Sequence, residues 1–264
     1  MRTKYIIASI LVFSTLGMNT QKERHIKQSS FAAGEHIEYR VHYGIINAAE
    51  AIVDVEPKIH SVSGKHCYKV TAIARTTGVT DWVSKVRDSW TSYIDTAAML
   101  PQVFHMKKQE GNYKTEDKIV FDHTNNLAKS YELDDDHERK TYKVPDNIQD
   151  IVSGYYFLRT IDFNKVKVGD YVLIKAFFEG EVYDMRMKYK GKEVVKTKFG
   201  KMSTFKICPT LPKNNFFENE EAVVIWASDD ENKIPLKIQI ELKIGSIAMD
   251  IRKYSGVRHP LRFK

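Results

Sequence analysis

Hydrophobic and polar residues alternate along much of this chain with a period of two, the pattern of strands that bury one face. Ile37, Tyr39, Val41 and Tyr43 alternate with His36, Glu38, Arg40 and His42, and Gly44 ends that run before a second strand over 49–55. The same pattern predicts strands over 66–73, 89–94, 102–108, 113–121 and 127–133. Glu110-Gly111-Asn112 and Asp122-His123-Thr124-Asn125-Asn126 separate the later ones, and such residues favour tight reversals through local side-chain hydrogen bonds or a missing Cβ. After Val168-Gly169-Asp170 a meander is expected over 171–179, 182–189 and 192–198, with turns at Glu179-Gly180-Glu181 and Lys190-Gly191. A strand over 203–208 follows, and Pro209 and Pro212 break the run. The last block predicts strands over 222–227, 236–244 and 247–254, joined through Ser228-Asp229-Asp230-Glu231-Asn232 and Gly245-Ser246.

One helix interrupts this pattern. Beyond Pro145, Asp146 can cap free backbone N–H groups, with Gln149 as its capping-box partner. Ile148, Ile151, Val152, Tyr155 and Leu158 then fall on one face, which predicts a helix over about 147–161 lying on an open side of a sheet. A weaker helical or irregular segment is expected over 80–86. The fold class is therefore mainly β: an antiparallel curved sheet, half-barrel or two packed sheets, with one central helix. One β-rich domain over 18–264 accommodates these elements, with a soft boundary that would divide it into 30–145 and 146–264.

The start of the chain reads differently. Arg2 and Lys4 precede an uncharged run from Tyr5 to Met18, and the polar Gln21-Lys22-Glu23-Arg24 follows. A basic start and an apolar stretch too short to span a bilayer make a signal peptide over 1–17, with Thr15-Leu16-Gly17 at the cleavage region. No cysteine follows the run, so the expectation is an exported, periplasmic protein that is not a lipoprotein and has no transmembrane segment in its mature form.

Composition narrows the function classes. Hydrophobic content of 42% and aromatic content of 11% belong to a folded chain. The formal charge of +7 falls by two when Arg2 and Lys4 leave, and the rest is interspersed with acids, so no nucleic-acid partner is expected. Cys67 and Cys208 are the only cysteines; they form either one long-range disulfide or two buried thiols.

Candidate chemistry is sparse. His36 and His42 are separated by six residues, roughly 20 Å of strand, too far to share a metal. The other histidines show no HExxH context, and Asp229-Asp230-Glu231-Asn232 lacks the spacing and glycine of a calcium loop. No nucleophile elbow, phosphate loop or dinucleotide fingerprint is present, so neither metal nor cofactor is expected. Aromatics are the remaining signal: Trp82, Trp90, Trp226 and the pairs Tyr155-Tyr156, Phe177-Phe178 and Phe216-Phe217 fill a core or line a concave sheet lidded by the helix.

A set of these residues resembles a known family of exported bacterial proteins, domain of unknown function 3108. The resemblance lies in Gly34-Glu35 leading into Tyr39, Val41, Tyr43 and Gly44, then Ala49-Glu50-Ala51. It continues through Pro145-Asp146, Asp150, Ser153, Tyr156 and Arg159, and closes with Trp226, Asp229-Asp230, Pro235 and Gly245. The family commonly has Gly where this chain has Ala49. The resemblance implies a β-rich envelope protein and transfers no catalytic residue. The last forty residues are also faintly similar to periplasmic lipoprotein carriers, in which a curved, incomplete barrel and lid helices enclose an apolar cavity.

The leading expectation is a non-enzymatic envelope protein that binds an apolar or lipidic component or an outer-membrane partner. Tyr39, Tyr43, Trp90, Ile151, Tyr155, Phe177 and Trp226 are its candidate ligand residues. An enzyme acting on envelope polymers would draw on Glu35, Asp150 and Arg159, although Arg159 in a structural ion pair with Asp150 or Glu35 is the simpler use of these groups. A structural or adhesion module would instead expose a large apolar patch.

Overall fold

The computed structural model describes residues 24–132, 137–210 and 220–264. The expected leader, the Asp134-Asp135-Asp136 run, Pro212 and the Phe216-Phe217 pair lie outside them. The first seven strands are β1 (His36–Tyr43), β2 (Ile46–Val62), β3 (Lys65–Thr76), β4 (Arg87–Asp95), β5 (Pro101–Glu110), β6 (Tyr113–Asp122) and β7 (Leu127–Tyr131). A short helix α1 (Gly78–Val83) joins β3 to β4. Then come β8 (Glu138–Lys143), helix α2 (Ile151–Leu158), a 3-10 turn (Phe163–Lys165) and β9 (Tyr171–Phe178). The chain closes with β10 (Glu181–Thr197), β11 (Gly200–Thr210), β12 (Val223–Ser228), β13 (Pro235–Glu241) and β14 (Ser246–Ser255).

All fourteen strands belong to one antiparallel sheet, in the order β8-β7-β6-β5-β4-β3-β2-β1-β14-β13-β12-β11-β10-β9. The first and last strands are neighbours: His36 pairs with Ser255 and Tyr43 with Ile247. The sheet curls without closing, and its two edges, β8 and β9, are the strands that flank α2 in sequence. Helix α2 packs against β3, β4 and β9 inside the curl. There Val152 and Tyr156 meet Phe31, Val70, Ile94, Phe104, Ile119, Phe121 and Phe177. A second cluster joins Leu158 to Phe163, Ile174, Tyr189, Phe205 and Ile207, and a third joins Ile37 and Tyr39 to Met202, Leu236 and Ile251. Alternation accounts for this: Ile37 and Tyr39 are buried, whereas His36 and Glu38 reach water on the other face.

Three sequence expectations are corrected. The central helix begins at Ile151, not near Asn147: Asn147 sits at φ +59°, and Gln149 is extended in a parallel bridge to Ala176 on β9. Asp150 therefore caps the helix in place of Asp146, and Ser153 takes the capping-box role expected of Gln149. Lys190-Gly191 is no turn, because β10 runs through it and the ladder to β11 slips between Tyr189 and Lys192. Gly191 supplies φ +94° for that bulge. Strand β8, with the sequence ERKTYK, has no apolar alternation to announce it; it pairs only along β7 and leaves an edge that its charges protect from further pairing. Cys67 on β3 and Cys208 on β11 are both buried free thiols, with five strands between theirs in the sheet.

Candidate functional site

The candidate ligand aromatics do not converge on one cavity. Tyr39 and Phe177 are buried, and Trp90 and Tyr155 pack at the margin of the first cluster. The Tyr39 hydroxyl bonds that of Tyr155 at 3.1 Å. Trp226 lies under Lys206 and Lys237, whose ammonium groups stand 5.5 and 5.2 Å from its ring. Ile151 and Tyr43 are exposed. Beneath α2 the side chains of Phe31, Val70, Ile94, Phe104 and Phe121 pack inside the curl of the sheet.

The polar candidates separate into two locked arrangements at opposite ends of α2. Arg159, at the helix C-cap, donates from Nη1 to Glu35 Oε1 at 2.6 Å and from Nη2 to Glu35 Oε2 at 2.8 Å, with both residues buried. Its remaining hydrogen bonds run to the carbonyls of Asn232 and Ser30, both at 2.9 Å, and Tyr156 donates to Glu35 at 3.0 Å. Burial opposes the Arg159 charge, but Glu35 outweighs it and holds the guanidinium above its ordinary range. Asp150, at the N-cap, accepts from the amides of Val152 and Ser153 and, at 2.6 Å, from the Ser92 hydroxyl on β4. Burial pushes the Asp150 carboxyl up to about 6, against those donors. Both carboxylates are sealed, and they frame the two ends of α2.

The groups left facing solvent tell more. Turns β1–β2, β13–β14 and the α1 connection lie side by side at one end of the sheet, because their strands are neighbours in the order β13-β14-β1-β2-β3-β4. They carry Tyr43, Ile45, Ile46, Val79, Trp82, Val83 and Ile244, all exposed: Ile45 fully, Trp82 to 93%, Val83 to 82% and Ile244 to 81%. Helix α1 is inside out. Val79, Trp82 and Val83 stand at positions i, i+3 and i+4, one helical face, yet the helix buries no residue at all.

What holds α1 in this inverted pose is polar. Asp81 takes both terminal nitrogens of Arg87, at 2.7 and 2.9 Å, and the Thr76 hydroxyl at 2.6 Å. That clamp, with Arg87 as its largest contributor, pulls the Asp81 carboxyl down to about 2. The Thr77 amide donates to Ala48 and ties α1 to β2. The Tyr43 hydroxyl donates to the Ile244 carbonyl at 2.9 Å and ties the other two turns together. Gly245 sits at φ +74°, the left-handed region that strains any other residue, and it lies against the hydroxyl end of Tyr43. These linked turns make an apolar crown with exposed Lys85 and Lys243 at its margin.

The opposite end is of another character. An open groove of about 670 Å³ there is lined by Lys201, Arg262, Lys264, His259 and the Asp229-Asp230-Glu231 turn, charges of both signs. Among the described residues, no group of three or more His, Cys, Asp or Glu is placed to hold a metal ion. Sequence reading counted Trp82 among the aromatics but assigned it no role. The signal that would have found the crown is the Val79-Trp82-Val83 spacing in a segment whose Thr80 and Asp81 occupy the positions an ordinary surface helix gives to its core.

Comparison with known proteins agrees with the geometry and adds no activity. A family model described as a protein of unknown function (DUF3108) matches residues 38–252. No curated protein matches the sequence. Among solved structures, a β-barrel-like protein of domain of unknown function DUF1849 from Brucella abortus is similar, with a TM-score of 0.53 at 10% identity over 86% of this chain and 99% of that one. A protein from Parabacteroides distasonis, provisionally assigned as a lipoprotein, aligns over 89% of this chain and 100% of its own at 11% identity, with a TM-score of 0.36 that carries no weight for fold.

Proposed function

The chain belongs to the DUF3108 family, and from that premise we propose that it is a non-catalytic protein of the cell envelope that docks on an anionic bilayer surface through its apolar crown. The single observation that carries this reading is the inverted helix α1, whose apolar face points to solvent on a rigid polar mount. Each large side chain taken out of water contributes about 1.5–3 kcal/mol, so Ile45, Trp82, Val83 and Ile244 together offset the cost of association. Short turns that project single side chains are convex, and the interfacial zone of a bilayer accommodates such shapes without a preformed pocket. Lys85 and Lys243 add about 1 kcal/mol each near an anionic surface. The export leader read over residues 1–17 would deliver the protein to such a surface.

The test is co-sedimentation with vesicles of phosphatidylcholine alone and of phosphatidylcholine with phosphatidylglycerol. The protein should bind the mixed vesicles, more weakly in high salt, and the triple variant Ile45→Ser, Trp82→Ser, Val83→Ser should lose at least tenfold in affinity. Failure of the wild-type protein to bind either vesicle, or equal binding by the triple variant, defeats the proposal and leaves the crown to a protein partner.

A further inference from the structure

The two edges of the sheet are not alike. Edge strand β8 carries Glu138, Arg139, Lys140 and Lys143 in six residues, the charged protection that keeps an open edge from recruiting another strand. Edge strand β9 reads YVLIKAFF, with a single charge. Its outward-facing backbone is already used once. The Gln149 amide donates to the Lys175 carbonyl at 2.8 Å and the Phe177 amide donates to the Gln149 carbonyl at 2.7 Å, a one-residue parallel bridge. Backbone groups alternate in direction along a strand, so the N–H and C=O of Tyr171 and Leu173 point to the same side as those of Lys175 and Phe177. The chain preceding Gln149 turns away at Asn147, φ +59°, and among the described residues no strand pairs with that stretch of edge. Side chains there are apolar and exposed: Val168 to 69%, Tyr171 to 51% and Leu173 to 49%.

We propose that the Tyr171–Lys175 edge of β9 accepts an extended segment of a partner protein by strand addition. The segment runs parallel to β9, continues the register that Gln149 begins, and ends where Gln149 takes over the edge. Its backbone pairs with Tyr171, Leu173 and the Lys175 amide, and it carries apolar residues at alternate positions to lie beside Tyr171 and Leu173. This surface is separate from the crown, because β10, β11 and β12 stand between β9 and β13, the nearest strand that carries a crown turn.

The probe is an acetylated hexapeptide of alternating threonine and valine, added at millimolar concentration to the full-length protein. Amide hydrogen exchange read by NMR should slow at least tenfold at Tyr171, Leu173 and Lys175. A nitroxide on the peptide C-terminus should broaden Gln149, whereas one on its N-terminus should broaden Gly169. Leu173→Pro removes an outward-facing N–H that an edge position can spare, and should abolish the effect while keeping the native spectrum. A peptide N-methylated at alternate residues should also fail to bind, which tests the pairing without altering the protein. Unchanged exchange, equal binding by the N-methylated peptide, the opposite broadening pattern, or protection that arises from self-association of the protein alone overturns the proposal.

Discussion

The two α-helices of this chain obey opposite rules. Helix α2 buries Val152, Tyr156 and Leu158 against the sheet and ends in the sealed Arg159–Glu35 pair. Helix α1 buries nothing, turns Val79, Trp82 and Val83 outward, and is held from beneath by the Asp81–Arg87 clamp. Helix–sheet packing normally supplies most of a short helix's stability. Helix α1, at six residues, forgoes such packing, and under the proposed function its exposed face is what the protein docks with.

Substitutions sharpen that contrast, and the largest effect belongs to α2. Arg159→Ala leaves Glu35 buried without its counter-charge and should destabilise the fold by about 3–5 kcal/mol, read by urea denaturation. A loss below about 1 kcal/mol would show that the pair is not the anchor of α2.

The next effect concerns pH. Asp150 titrates at about 6 in the folded protein, above the ordinary carboxylate value of 3.8, so the native state binds this proton more tightly than the unfolded chain. Its contribution to stability should therefore be largest below about pH 4, fall as pH rises towards 6, and stay constant above. Over that window the change is on the order of 2–3 kcal/mol. Asp150→Asn keeps a good cap but cannot titrate, so wild-type minus variant stability should fall by that amount from pH 4 to 7. A parallel pair of curves would mean that Asp150 is not protonated in this range.

Tyr155→Phe removes the 3.1 Å hydrogen bond to Tyr39 and should cost about 1 kcal/mol in the same denaturation assay. Smallest of all on stability should be Trp82→Ser with Val83→Ser, within about 0.5 kcal/mol of the parent, because neither side chain leaves a packed site. The same pair should carry the largest loss in vesicle binding. If instead it destabilises the fold as Arg159→Ala does, the helices are not different in kind.

The strands were legible because alternation is a local property, and β1, β4 and β9 lie where their period-two runs place them. The start of α2 was not, since Gln149 is drawn into the edge of β9, a partner that no local pattern reveals. Strand β8 escaped for the same reason: its pairing with β7 is fixed by the sheet and not by its charged residues. Glu35, Asp150 and Arg159 stood together in the sequence reading but lie at the two ends of α2, and the choice of Glu35 as the partner of Arg159 depended on the long-range placement of the chain before β1 beside the helix C-terminus. Tyr39, Trp90, Phe177 and Trp226 were noticed for their size, and size alone does not separate a core from a binding face. The crown was missed because its seven residues come from three separate turns, and it takes both the β1–β14 and the β2–β3 pairings to make them neighbours.

If the crown enters the interfacial layer of a bilayer, Trp82 goes with it, since Trp82 is the exposed tryptophan there while Trp90 and Trp226 sit in or against packed structure. The most direct measurement is tryptophan fluorescence with anionic vesicles whose acyl chains carry bromine as a quencher. Insertion predicts quenching in the wild-type protein that disappears in Trp82→Phe, with Trp90 and Trp226 unaffected. Quenching that is equal in both proteins, or absent from wild-type protein that has bound the vesicles, would contradict it.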